Sequence, residues 1–439
     1  MKANIHLSNK LARFFFCLVM GFLYPILSHA QLPTVAVDYR PYSTQCMVKV
    51  LKNMGWSFNT ESAENSFSAP KECVADSLTK LQPELQINMN PSSNDERALR
   101  FNLEMAYMSS GTNCAFQTRL AEAALTATKK LKRNKLYIFT PFWTKDDIRL
   151  GTLKKEWQQT ACYENSVRCF VPTKEKKSKA IEALYGSVFS SDCGVGLELA
   201  EYATIKELFG AKAFDTHFTN PEIFVGDIVG LPTSSSFTRG AKADRILPAN
   251  GLSYAKSGYR NFIGVSGYVG SVFNSTFLDD QSNQNENFMI VNISKAASDQ
   301  FLKNGGLSYY EEYMHKAWEL SQKISKEELR VIENLAFGDR LEKATDITVQ
   351  MNLPPESGIG VGPTTIEFLT MLQDPFLNET QIYVHPFGPR NIAWHIARLA
   401  QLNPRTPYML RFYPDVMHRG VLNRWVKSQL DDCQSGSEK

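Results

Sequence analysis

The segment Ser190-Ser-Asp-Cys-Gly-Val-Gly196 sets a cysteine beside an acid and two glycines, just where an apolar stripe begins at Val195, Leu199, Tyr202, Ile205 and Phe209. Spacings of three and four residues predict a helix. With Ser191 or Asp192 as its cap, Cys193 falls in the first turn. Unpaired backbone N–H groups and the positive end of the helix dipole meet there and favour a thiolate, the nucleophilic form of cysteine. Gly194 and Gly196 cost such a helix roughly 1 kcal/mol each against Ala, which fits a place where a substrate or another backbone passes close. The competing reading is a buried or disulfide-bonded cysteine, the commoner fate in an exported chain.

A thiol nucleophile needs a proton acceptor. Asp192 is adjacent and can assist. Three histidines are further candidates. His385 lies in Gln381-Ile-Tyr-Val-His-Pro-Phe-Gly388, a strand entering a turn, and is the base expected here. Strand alternation puts Tyr383 and His385 on one face and Ile382 and Val384 on the other, with residues 381–387 expected to pair beside 262–265. His217 lies just past the cysteine helix. His395 shares a helix face with Ile392, Ile396 and Leu399 and reads more readily as a buried structural residue.

The compartment follows from the ends and the cysteines. Lys2, Lys10 and Arg13 precede an uncharged run, Phe14 to Leu27, and Ser28-His29-Ala30 gives a small-x-small pattern. These are the parts of a cleaved signal peptide, residues 1–30, and imply a secreted or periplasmic protein with no membrane association after cleavage. Of the eight cysteines, Cys17 leaves with the signal. Six of the remaining seven are expected to pair, in any of 15 connectivities, which leaves Cys193 as the odd thiol. Cys162 and Cys169 are close enough in sequence to staple a local loop.

From these residues a resemblance emerges. Asp192-Cys193 to Gly210, followed by Phe214-Asp-Thr-His-Phe218, resembles the catalytic helix of the bacterial spore-coat type protein-glutamine gamma-glutamyltransferases, the transglutaminases. That family carries an acid before its cysteine, a tyrosine within the helix, a closing glycine and two phenylalanines soon after. Phe224-Val-Gly-Asp227 is similar to its next strand, and Tyr259 to Val265 with Tyr268 to its hairpin. The similarity covers about residues 182–275. The family's hairpin holds an acid and then a histidine; here Arg260 stands in the acid's place, Gly270-Ser271 near the histidine's, and residues 218–314 contain no histidine.

The resemblance implies an acyltransferase that forms a Cys193 thioester with a protein glutamine and passes it to a lysine amine or to water. Cys193, Asp192 and His385 would be its catalytic residues, with no cofactor. Its partners would be proteins presenting glutamine and lysine side chains. A papain-like peptidase or amidase of the cell-wall type shares the order of cysteine helix and strands. A secreted binding protein that has lost its histidine is a third alternative.

The elements that must position these residues suggest an α+β chain: a papain-like domain, with the cysteine helix on an antiparallel sheet, and additional helical regions. A disulfide-bonded N-terminal region (31–173), a transglutaminase-like domain (174–297) and a mostly helical C-terminal region (298–439) are expected, with strand 381–388 able to return to the catalytic domain. Strands are predicted at 223–228, 262–265, 268–273 and 288–293, and a polar loop at 279–287. Helices are predicted within 95–133 and at 174–185, 309–324, 327–341 and 391–402. A further helix should open at Thr364-x-x-Glu367 with capping-box spacing. A net charge of +3 gives no case for nucleic acid, and the clusters 129–133 and 174–179 read as solvated helix faces. Gly358-Ile-Gly-Val-Gly362 lacks the Lys-Ser/Thr and preceding strand of a phosphate loop, and the histidines show no metal-ligand spacing.

Overall fold

The computed structural model describes residues 37–59, 66–74, 86–88, 96–139, 151–162, 167–173, 176–191, 193–219, 223, 225–226, 259–271, 285–337, 362–384, 387–416 and 418–437. Asp192 and His385 lie outside these. Residues 34–439 form a single unit. In chain order it contains helix α1 (Thr44–Asn53), strands β1 (Ser57–Asn59), β2 (Ser66–Ser68) and β3 (Gln86–Asn88), helices α2 (Glu96–Met108) and α3 (Ser110–Arg133), and β4 (Tyr137–Phe139). Then come β5 (Trp157–Cys162), β6 (Val167–Pro172), α4 (Lys177–Ala183), β7 (Phe189–Ser191), α5 (Cys193–His217) and β8 (Val225–Gly226). The rest is β9 (Val265–Ser271), β10 (Asn285–Ile293), α6 (Lys295–Lys303), α7 (Leu307–Ser321), α8 (Lys326–Phe337), α9 (Pro363–Leu372), β11 (Thr380–Val384), β12 (Gly388–Asn391), α10 (Ile392–Leu402), β13 (Tyr408–Val416) and α11 (His418–Ser437). The class is α+β, as expected.

The largest sheet runs β12-β11-β10-β9-β13, with every pairing antiparallel. It crosses the expected division at 297/298, since β9 and β10 precede it and β11 to β13 follow. β11 pairs with β10 and β12, not with the residues around 262–265, because β10 occupies that place. Two strands had been expected between 262 and 273. Instead a helical turn at Tyr259–Phe262 leads through Gly264, at φ +80°, into the single strand β9. A residue with a side chain is strained at that φ, so the glycine turns the chain into the sheet.

Alternation gives the sheet two different faces. Gly267, Phe288 and Phe412 share one, where Phe288, Phe301 and Phe412 meet edge to face and Phe262, Tyr310 and Phe376 extend the cluster. A Cβ on Gly267 would lie 2.6 Å from the Phe288 ring and 2.3 Å from the Arg411 carbonyl, so the strand centre must be glycine for that ring to cross it. Helices α6, α7 and α10 cover this face, and α3 and α5 cover the other.

Helix α5 is buried on almost every side, with Val195, Tyr202, Ala203, Ile205 and Phe214 in the core. Such an all-round apolar helix belongs in the centre of a domain. It lies against α3, α4, α11 and β10. At Gly210, φ +75°, it breaks and resumes, which is the closing glycine expected there. Each large apolar side chain so buried stabilises by roughly 1.5–3 kcal/mol.

Helices α2, α3, α4, α7, α8 and α10 match the expected spans within a few residues, α1, α6 and α11 stand where no helix is predicted, and two further readings need correction. α9 opens on Pro363 with Gly362 as its N-cap, so Thr364 sits inside the helix and forms no capping box. Proline at the first helical position is pre-set for that role. Nor are the basic clusters wholly solvated, since Lys177 is buried and Lys130 donates to Glu207.

Among the described residues two disulfides are made. Cys73–Cys114 ties the short turn at Lys71–Val74 to α3, and Cys46–Cys433 ties α1 to α11 across 387 residues of sequence. The side chains of Cys162 and Cys169 are not among those described. Among the described residues, no helix is long and apolar enough to cross a membrane.

Candidate functional site

Cys193 is the first residue of α5, half-buried, and carries a thiol rather than a disulfide. The chain reaches it from β7, which pairs in parallel with β4. The Tyr137 hydroxyl pins the end of that strand, donating to the Ser191 carbonyl at 2.7 Å and so accepting from the Ser191 hydroxyl at 2.9 Å. The cysteine therefore sits at the joint between an anchored strand and a buried helix. Neither can easily shift.

The sulfur has a partner that the sequence did not reveal. The Asn287 side-chain amide donates to Cys193 Sγ at 3.1 Å. A hydrogen bond to the sulfur favours its charged form, and the N–H groups of the first turn of α5 act in the same direction. Residues 279–287 read as a polar loop, yet β10 already begins at Asn285. A signal was present: Asn287 is polar and stands directly before the apolar run Phe288-Met-Ile-Val291.

The face of the sheet under α5 is set by this contact. Asn287 pairs with Tyr268 across β9, and Met289 pairs with Ser266 on one side and Tyr383 on the other. Cross-strand partners share a face. The Ser266 hydroxyl donates to the buried Glu201 of α5 at 2.8 Å, an independent tie between helix and sheet on the same side. A polar seam of Cys193, Asn287, Ser266 and Glu201 thus lies between α5 and the sheet.

Farther along, α5 is locked to its neighbours by charge. Glu207 accepts from Lys130 at 2.7 Å, from Tyr185 and from Lys206, and Lys206 also meets Glu182 at 3.0 Å. Although its burial alone would raise the Glu207 carboxyl, these cations carry it below the usual range.

The other candidate histidines do not share the site. His217 ends α5, and the straight part of that helix alone, Cys193 to Phe209, is about 24 Å long at 1.5 Å per residue. It packs on Phe209 near Asp431, where burial lowers its basicity. His395 is buried on α10, across the sheet from α5, as its reading as a structural residue implied; burial, Arg398 and Arg390 hold it well below the ordinary imidazole range. Asp192 and His385 lie outside the described residues. β11 ends one residue before His385, with Tyr383 on the Asn287 face.

Among the described residues, no group of three or more His, Cys, Asp or Glu side chains could hold a metal ion. A small cavity of about 20 Å³ lies under the start of α5, lined by Trp157, Phe170, Phe189, Val195 and Leu199 among others. Its apolar walls offer water no partners.

No protein-family model, curated protein or solved structure matches this chain.

Proposed function

We propose that this protein is an exported cysteine acyltransferase acting on protein glutamine. The observation that carries the reading is the Cys193 thiol at the head of a buried helix with the Asn287 amide donating to it at 3.1 Å. A side-chain amide meets a sulfur borne at the positive end of a helix, a setting that favours a thiolate nucleophile. The resemblance around Cys193 supplies the substrate class. A cysteine helix lying on an antiparallel sheet agrees with the papain-like arrangement that the resemblance implies.

In the proposed reaction the Cys193 thiolate attacks the glutamine carboxamide carbon. The oxyanion so formed is held by backbone N–H groups at the start of α5. Ammonia departs with a proton supplied by the base, leaving a thioester. A lysine amine then attacks, gives up a proton to the base and expels the thiolate, forming an isopeptide bond. With water in place of the amine the product is glutamate.

His385 is the proposed base, with Asp192 assisting. Register supports it: Met289 pairs with Tyr383, Asn287 stands two residues before Met289 on β10, and His385 follows Tyr383 by two residues in the sequence, one past the end of β11. Export is proposed from the signal-like start and the two disulfides.

Incubation of the purified protein with a glutamine-rich substrate and a labelled primary amine tests the reading. Amine incorporation that disappears in Cys193→Ala is the expected result. Cleavage of peptide or peptidoglycan would select the peptidase or amidase instead, and silence in every assay would favour the binding protein.

A further inference from the structure

Directly behind Asn287, on the opposite face of β10, lies a buried cluster of charge. Glu286 follows the alternation away from Cys193 and points under α10, where Arg398 Nη1 donates to its Oε1 at 3.3 Å. Its second oxygen, Oε2, is buried with no hydrogen-bond partner among the described residues. The Arg398 guanidinium also lies over the Phe387 ring, 4.4 Å from its centre. Phe387 occupies the turn between β11 and β12, which is closed by Gly388 at φ +77°, and its ring packs in turn on Trp394.

Arg398 therefore holds two things at once. One is the strand residue next to Asn287; the other is the turn two residues past His385. Each hold is of a familiar strength: a charged hydrogen bond in one case and a cation–π contact in the other. The first depends on the charge of Glu286.

We propose that Glu286 and Arg398 are positioning residues for the thiol site: ionised Glu286 anchors Arg398 against Phe387, fixes β10 beside the start of β12, and so holds Asn287 on the Cys193 sulfur. When Glu286 takes up a proton the clamp slackens and the thiol loses reactivity. The site is thereby gated by pH from the far face of the sheet.

The charged group that acts on Glu286 is Arg398 from α10; Arg398 in turn is near Glu333 of α8 and His395 of α10, with Arg390 of β12 also near His395, while the partner of Glu286 on β9 is the apolar Val269. Burial raises the Glu286 carboxyl to about 7, with Arg398 opposing the rise. Burial also raises Glu333, again opposed by Arg398. Burial, Arg398 and Arg390 push His395 well below the ordinary imidazole range, the opposite direction to Glu286. The gate therefore works near neutral pH.

This inference rests on Cys193 being a reactive thiol, but not on acyl transfer. Its test is the rate of Cys193 alkylation by iodoacetamide in the mature protein from pH 5 to pH 8. The ratio of the wild-type rate to that of Glu286→Gln, taken at each pH on the thiolate fraction measured for each protein, isolates the contribution of Glu286. It should rise from near one at pH 5 to roughly three- to tenfold at pH 8, the effect of one typical net hydrogen bond. Phe387→Leu leaves every charge in place, removes the ring beneath Arg398 and should show the same rising ratio, so the test survives if Glu286→Gln folds poorly. A ratio that stays flat with pH for a folded variant overturns the proposal even where amine incorporation succeeds. A Cys193 that never alkylates overturns both readings, whereas silence in the amine assay with a rising ratio sinks only the acyltransferase.

Discussion

Asn287 and Cys193, 94 residues apart in sequence, meet at 3.1 Å, with the amide donating to the sulfur. The strand brings the amide and the helix brings the thiol. Their meeting joins the two halves of the proposed catalytic unit, and the bond favours the charged thiol over the neutral one.

Asn287→Ala should accordingly raise the Cys193 pKa by about one unit, since a hydrogen bond to a charged group contributes roughly 1.5–3 kcal/mol and the helix N–H groups retain part of the effect. The pH dependence of alkylation measures it. An unchanged midpoint would mean that the amide does not stabilise the thiolate.

Cys193→Ala should abolish acyl transfer and shift the melting temperature only slightly. The residue is half-buried, and its loss removes the hydrogen bond from Asn287 and little packing. Breaking Cys73–Cys114 or Cys46–Cys433 by Ser substitution should instead cost roughly 2–5 kcal/mol. Thermal unfolding of the three variants under non-reducing conditions checks the contrast. A Cys193→Ala loss as large as those of the disulfide variants would mark it as a structural residue.

How far the sequence spoke depended on how local the signal was. The cysteine helix was legible because its stripe and Gly210 are written within one stretch, and Gly210 breaks α5 as expected. The helices from α7 to α10 were legible for the same reason, whereas α6 was not read from the sequence. Asn287 was not, because its role depends on a pairing between β9, β10 and β11 that no local pattern encodes. The same non-local fact misled the expected partner of strand 381–387, since β10 intervenes. Glu286 illustrates the limit most sharply. Nothing near it announces burial, and only the packing of α10 on the sheet brings Arg398 to it.

Gly267→Ala should destabilise the sheet that bears Asn287. The added carbon would lie 2.3 Å from the Arg411 carbonyl, a backbone atom, and 2.6 Å from the Phe288 ring. Overpacking of this kind typically costs 1–3 kcal/mol. Denaturant unfolding should show a lower midpoint with an unchanged slope, and an unshifted midpoint would contradict the tight crossing of Phe288 over β9.

The pH dependence of stability carries a separate signature of Glu286. Its folded pKa, about 7, lies above the ordinary value of 4.5. The folded state therefore binds more protons than the unfolded state between those two values, and stability falls as pH rises through that window. His395 acts in the opposite sense. Its folded pKa lies well below 6.5, so its contribution is present above 6.5 and is lost as pH falls. The two slopes oppose each other between about pH 4.5 and 6.5, so the wild-type curve alone would look deceptively flat. Glu286→Gln removes only the first. Relative to wild type it should gain stability between pH 5 and pH 8, by on the order of 2 kcal/mol, whatever fixed offset the lost Arg398 contact introduces. Chemical unfolding of both proteins at the two pH values measures the difference. If the gap between them does not change with pH, Glu286 is already ionised at pH 5 in the folded protein, and the carboxyl behind Asn287 is a permanent anchor instead of a switch.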